Sequence, residues 1–229
     1  MNRLVITMGD PCGVGPEIIV KFFDGIYKVE DKRLFLVVVG SKSVLEYYKK
    51  KLKIDLEIVE ITKAHIVDGK LENGKLHLIN IDTDIDKLEF GKHTELGGAL
   101  SIKYLDKAIE LCHGKYVDGI VTCPISKDSI NMAGFKYSGH TEYLAEKSKT
   151  EDFAMVLKGK KVVVLLNSTH VSLKEAINRV TKESVLNKIR LAQKAKKELG
   201  LTGSIAVAGL NPHNGENGLF GTEEIEIIA

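Results

Sequence analysis

The sequence predicts an α/β fold with a largely parallel sheet, on three observations. Short apolar runs of strand type, at 3–7, 34–39 and 117–122, alternate with segments whose apolar residues recur at helical spacing. No internal repeat or low-complexity linker interrupts that alternation. Dense polar turns, at 8–15, 168–170 and 211–213, follow directly after strand-type runs. Ligands gather beyond the carboxyl ends of strands in open sheets of this kind, so these turns point to one site.

Taken in order, Arg3 to Thr7 reads as a first strand, entering the turn Met8-Gly9-Asp10-Pro11-Cys12-Gly13-Val14-Gly15-Pro16 and a helix from Glu17 to Phe23. Pro16 suits a first helical position and Glu17 complements the helix dipole. Strand, glycine-rich loop and helix can cradle a phosphate. The pattern matches neither GxGxxG nor the P-loop, however, because no lysine and hydroxyl follow the last glycine. A merely tight βα turn is an equal reading of this spacing. Leu34 to Val39 is a second buried strand, Ser41 is placed to cap a helix from Val44 to Lys51, and Ile54 to Ile61 alternates as a third strand. Asp68-Gly69 and Asn73-Gly74 read as hairpin turns joining short strands through Ile81. Thr94 to Leu111 carries Leu100, Tyr104, Leu105, Ala108 and Leu111 at helical spacing and reads as a long helix.

The stretch from Val117 to Glu146 organises the rest. Its strand, Val117 to Thr122, is broken by Pro124, and Ser126 caps a short helix ending near Gly134. Ser138-Gly139 then delivers His140 and Thr141 at the head of a helix running Glu142 to Lys147. A helix N-terminus offers free N–H groups to an anion such as phosphate or carboxylate. The local spacing also fits a bland alternative, in which Ser138 or Thr141 merely caps and His140 is an exposed turn residue. Phe153 to Leu157 and Val162 to Leu166 flank Lys158-Gly159-Lys160-Lys161 as a hairpin, whose second strand ends in Asn167-Ser168-Thr169-His170. Val185 to Leu199 is an amphipathic helix stopped by Gly200. Ile205 to Ala208 is a final strand running into the loop Gly209 to Gly218, and Thr222-Glu223-Glu224 starts a further helix.

Bulk properties exclude several classes. The 229 residues can bury a sizeable core in one large domain or two smaller ones. A composition 44% hydrophobic and 28% charged is that of a globular protein, and a net charge of +2 argues against a nucleic-acid binder. The lysine runs at 49–51 and 194–197 fall in amphipathic patterns and read as solvated faces. Cys12, Cys112 and Cys123 show no metal spacing and no disulfide framework, which fits a reducing cytoplasm. Neither a signal-type run nor an apolar stretch approaching a membrane span is present, so no membrane partner is expected. A single glutamine, Gln193, among many Lys and Glu hints at a thermophilic source.

For chemistry, His170 and His213 stand out at comparable strand ends, the second loop being fixed by Pro212 and Gly215. Hydrogen-bonded loop histidines and ligands of Zn²⁺, Co²⁺, Ni²⁺ or Fe²⁺ are equal readings. Two histidines make an incomplete site, since catalytic zinc usually has three protein ligands. His65, His77, His93 and His113 lack such contexts and are expected at the surface. No Ser-His-Asp order or GxSxG elbow is present, which disfavours a hydrolase.

In this order, MGDPCGVGPEI, VTCPISK, SGHTEYLAE, NSTH and GLNPHNGENGLFGTEEIEII resemble the 4-hydroxythreonine-4-phosphate dehydrogenase family of pyridoxal 5'-phosphate synthesis. The resemblance runs from Thr7 to the last residue, and its motifs are specific together where each alone is weak. It implies the two-domain fold shared with isocitrate and isopropylmalate dehydrogenases, read here as a first α/β domain over 1–121 and a second over 122–229. It implies a homodimer that oxidises the secondary alcohol of 4-phosphohydroxy-L-threonine with NAD or NADP, the β-keto acid then losing CO₂ to give 3-amino-2-oxopropyl phosphate. By motif match, His140 and Thr141 correspond to substrate-binding positions, and His170 and His213 to two of three histidine ligands of a divalent cation (zinc, cobalt or magnesium). The same motifs suit a relative acting on D-threonate or D-erythronate 4-phosphate. Family members are longer, so the resemblance also implies that the C-terminal portion is missing, with a third metal histidine and part of the nucleotide site. A catalytically inactive remnant is the reading from a different class. The end from Leu219 onward is then expected to fray, or to leave an apolar flank exposed.

Overall fold

The computed structural model describes residues 2–25, 34–69, 72 and 74–229. By compactness the chain divides into two units, Met1–Ser148 and Lys149–Ala229. The sequence reading places the division after residue 121; the stretch between the two points, with two further helices, packs within the first unit.

The first unit is a five-stranded sheet in the order β3-β4-β2-β1-β5, parallel at every pairing. Its strands are β1 (Asn2–Thr7), β2 (Leu34–Gly40), β3 (Ile58–Glu60), β4 (Leu76–Asn80) and β5 (Gly119–Thr122). Strand β1, between β2 and β5, sets Val5 opposite both Val37 and Ile120, and Thr7 opposite Thr122. Strand β2 reads as a continuous apolar run, Leu34 to Val39, because both of its faces are covered: Val37, Val38 and Val39, which point to alternate faces, are all fully buried.

Helices α1 (Gly15–Gly25), α2 (Lys42–Leu52), α3 (Lys63–Asp68), α4 (Glu95–His113), α5 (Lys127–Met132) and α6 (His140–Lys147) belong to the same unit. The α4 helix has two buried stripes. Leu100, Tyr104, Ala108 and Leu111 join the main core, as their spacing predicts. Ile102, Leu105 and Ile109 form a second cluster with Ile130 of α5 and Tyr143 of α6. That second cluster seats α6, and with it His140.

Several local expectations are corrected. The hairpins expected through Ile81 do not form: α3 intervenes and β4 pairs with β3 in parallel. Thr62 starts α3, its N–H donating to His65 Nδ1 at 3.1 Å, and Gly69 ends it in the left-handed conformation at φ 64°. Asn73 lies outside the described residues. Ser41 occupies the N-cap of α2 without capping it, because its hydroxyl bonds Ser43 Oγ at 2.8 Å instead. Ser126 does cap α5, accepting from Ser129 N–H at 3.1 Å. His77, expected at the surface, is only 4% exposed on β4, an inner strand whose residues 76–79 are all buried.

The second unit carries the expected antiparallel hairpin, β6 (Val156–Lys158) with β7 (Val163–Leu165). Helices α7 (Leu173–Asn178) and α8 (Lys182–Glu198) follow, with α7 absent from the sequence reading. No strand forms at 205–208; 201–209 runs without a ladder partner and Val207 is 46% exposed. A tight turn over Pro212–Gly218 and a single helical turn at Glu224–Ile228 end the chain. Among the described residues of this unit, only Val185, Gly215 and Glu224 are buried. No described helix is long and apolar enough to cross a membrane.

Candidate functional site

The glycine-rich turn after β1 resolves in favour of packing. Asp10 is 4% exposed; its N–H donates to the Pro124 carbonyl at 3.0 Å and its Oδ1 accepts from Cys12 N–H at 2.9 Å. Gly13 N–H donates to the Asp10 carbonyl at 3.0 Å. The N–H groups of Asp10, Cys12 and Gly13, which a phosphate would need, are thus committed inside the protein. Gly9 sits at φ 72° with its missing Cβ 2.2 Å from the Pro124 carbonyl oxygen, and a Cβ on Gly15 would fall 2.1 Å from the Met8 carbonyl oxygen. The turn is a close backbone crossing between the ends of β1 and β5, and glycine is what allows it.

The motif at α6 behaves differently. Gly139 occupies the N-cap in extended conformation and has no side chain with which to cap, so the first-turn N–H groups have no side-chain cap. His140 and Thr141 open the helix, both partly buried, with Glu142 following. Among the described residues, His140 Nε2 and Glu142 Oε2 are buried polar atoms without a hydrogen-bond partner. Burial holds the His140 imidazole below its ordinary pKa, so the ring is neutral near pH 7. Behind it, Tyr143 donates its hydroxyl to Asp106, and burial followed by that carboxylate raises the phenol's pKa. The first turn of α6 is therefore fixed from behind and unsatisfied in front, an arrangement suited to an incoming polar ligand.

Beside α5 lies a grouping that the sequence reading did not foresee. Ser126 Oγ is 2.7 Å from His93 Nδ1, and His93 Nε2 is 3.8 Å from Asp128 Oδ2. The hydroxyl also accepts from Ser129 N–H at 3.1 Å. His93 and Asp128 are largely exposed, and the serine is engaged as a cap, which gives this trio a structural reading.

In the second unit, His170 and His213 are both exposed, and both hold left-handed backbone, φ 54° and 52°. Such conformations are uphill for non-glycine residues and cluster at functional sites. Just upstream, Asn167 Oδ1 is buried without a partner, a signal carried by the NSTH motif but not singled out from it. Glu224 also went unnoticed in sequence. It is 5% exposed, and the bonds it accepts from Asn211 and Leu210 hold its pKa down to about 2.

The structure thus groups His140 with Thr141, and keeps His170 and His213 within the other unit. Two imidazoles suit zinc or cobalt in kind. Among the described residues, however, no group of three or more His, Cys, Asp or Glu side chains is placed to hold an ion. A cavity of about 900 Å³ opens within the second unit between the hairpin, α8 and the 201–210 stretch. It is walled by Val156, Val163, Val185, Ile189 and Val207 among others, and none of the four candidate residues lines it. It reads as packing space left by the unpaired 205–208 stretch.

A five-stranded parallel sheet with helices between its strands makes the first unit an α/β fold. A profile for the family "Pyridoxal phosphate biosynthetic protein PdxA" matches residues 32–229, and the chain belongs to that family. It is 41% identical over 228 residues to a Fusobacterium nucleatum protein provisionally named D-threonate 4-phosphate dehydrogenase, covering 99% of this chain and 68% of that protein. It is also 41% identical over 230 residues to a Sulfurihydrogenibium protein named 4-hydroxythreonine-4-phosphate dehydrogenase, covering 100% of this chain and 69% of the relative. Among solved structures, the 4-hydroxythreonine-4-phosphate dehydrogenase of Klebsiella pneumoniae superposes with a TM-score of 0.88 at 33% identity, over 99% of this chain and 68% of that one.

Proposed function

We propose that this chain is an oxidoreductase that oxidises the secondary alcohol of a small phosphorylated hydroxy acid, 4-phosphohydroxy-L-threonine being the preferred substrate. The observation that carries the reading is the first turn of α6, where His140 Nε2 is buried and unpartnered beside N–H groups that no side chain caps. In that role Thr141 and the helix N–H groups hold a substrate oxyanion, which the helix dipole favours. The neutral His140 ring adds a directed hydrogen bond without burying a further charge. A nicotinamide, NAD or NADP, supplies the hydride acceptor when bound, and oxidation removes a hydride and the hydroxyl proton to leave a ketone. Loss of CO₂ from the resulting β-keto acid follows from its own chemistry. His170 and His213 are proposed as the imidazoles this chain offers to a divalent cation, whose contribution when bound is to lower the pKa of the substrate hydroxyl. The described residues do not by themselves complete such a centre. A homodimer belongs to the same proposal.

A second substrate has specific support, because the relative with D-threonate 4-phosphate in its name is as similar, at 41% identity, as the one named for 4-hydroxythreonine 4-phosphate. Following nicotinamide reduction with 4-phosphohydroxy-L-threonine, D-threonate 4-phosphate and D-erythronate 4-phosphate, with and without added Zn²⁺, Co²⁺ or Mg²⁺, separates the readings. Turnover of the first alone supports the preferred substrate, and turnover of the others alone selects the second reading. A folded protein inert to all three contradicts the assignment and favours an inactive member of the family.

A further inference from the structure

The loop that carries His213 is held by one buried carboxylate. Glu224 Oε1 accepts the N–H groups of Leu210 at 2.7 Å and Asn211 at 2.6 Å, while Oε2 accepts from Asn211 Nδ2 at 3.0 Å. Asn211 Nδ2 also donates to Glu223 Oε2 at 2.7 Å. Two glycines make room for the clamp: a Cβ on Gly209 would fall 3.3 Å from Glu224 Oε1, and one on Gly215 would fall 2.9 Å from Oε2. Directly beyond the clamp, five successive residues from His213 to Asn217 hold positive φ, between 45° and 80°, and only Gly215 among them is a glycine. A run of left-handed L-residues is uphill throughout and persists only where its surroundings over-determine it. The surroundings available here are few, because Glu224 is one of three buried residues in the unit and the only buried charge among its described residues.

We propose that Glu224 is a positioning residue: by clamping Leu210 and Asn211 it imposes the left-handed turn that aims the His213 imidazole. The sequence pattern then has a physical reading, in which the glycines of GLNPHNG and the second glutamate of GTEE form one device, with the histidine as its payload. The inference rests on the proposed role of His213 only for its consequence in turnover; the conformational link is tested independently.

The test compares wild type with Glu224→Gln and Glu224→Asp in the full chain. In Gln the shape is kept, but the amide nitrogen faces the Asn211 side-chain donor and the charge is lost. Ring resonances of His213 in ¹H–¹⁵N spectra, assigned with His213→Ala, are the primary readout. The expected result is a displaced His213 signal in Glu224→Gln with unchanged His140 signals, and partial return toward wild type in Glu224→Asp. Where wild type turns substrate over, kcat should drop about tenfold or more in Glu224→Gln, as when a partner that orients a site histidine is removed. Should Glu224→Gln fail to fold, Glu224→Asp, whose shorter side chain cannot hold the Leu210 and Asn211 N–H groups as Glu224 does, decides by the same signal. A His213 signal that coincides with wild type in the folded variant overturns the proposal. An inactive wild type whose His213 signal still moves overturns the functional reading and leaves the clamp standing.

Discussion

Among single residues, histidines show how far sequence reasoning reaches and where it stops. His140 was legible because the turn Ser138-Gly139 and the following helix fix its place, and the structure puts it at the first position of α6. His77 was not, because its burial depends on both faces of β4 being covered, which no local pattern announces. Burial holds both imidazoles below their ordinary 6.5, with Glu72 partly opposing this at His77. Between the depressed folded values and 6.5 the unfolded chain therefore binds more protons than the folded one. The stabilisation is fully present above pH 6.5 and is lost as pH falls through the folded values. His77 Nε2 also accepts from Glu72 N–H at 3.1 Å, a bond that protonation would break. The urea midpoint of the first unit should fall between about pH 7 and about pH 5, and His77→Gln should flatten part of that fall. An equal fall in the variant would rule out His77 as a contributor.

At the level of elements, the strands and helices with strong periodicity were read correctly, and the failures share one cause. A segment such as 63–68 is too short to show a helical period, and two glycine-containing dipeptides near it imitate hairpin turns. The stretch 205–208 has strand composition but no partner, and a strand exists only when its backbone groups find one. Helix pairing was equally invisible in sequence. Gly98 on α4 faces α5 so closely that a Cβ would lie 1.9 Å from the Ser129 carbonyl oxygen and 2.7 Å from Ile130 N. Gly98→Ala must separate the helices that seat α6, and overpacking of this kind costs about 1–3 kcal/mol. Chemical denaturation should show that loss; a stability equal to wild type would mean that α4 and α5 separate freely.

For the whole molecule, the two units differ in what holds them. The first has a large buried cluster from Val5 to Cys123, while the second buries only Val185, Gly215 and Glu224 and exposes Leu173, Val162, Leu219 and Ile225. Local stability follows buried contacts, so amide exchange should be slow through β1, β2 and α4 and fast through 149–229. Strong protection through Ile228 in the isolated chain would contradict this. The family and the motif order were legible because the glycines and histidines of turns are the residues that backbone geometry and ligand chemistry specify most tightly. The loosely packed second unit was not, because its state depends on contacts that local patterns do not encode. The proposed role of the first turn of α6 is to receive the phosphorylated substrate. Calorimetric titration of 4-phosphohydroxy-L-threonine, and of D-threonate 4-phosphate in parallel, into wild type and the His140→Ala and Thr141→Ala variants checks it. Saturable binding of at least one ligand to wild type is expected, weakened about tenfold or more in each variant through loss of a hydrogen bond to a charged group. Binding of equal strength in wild type and both folded variants would contradict it.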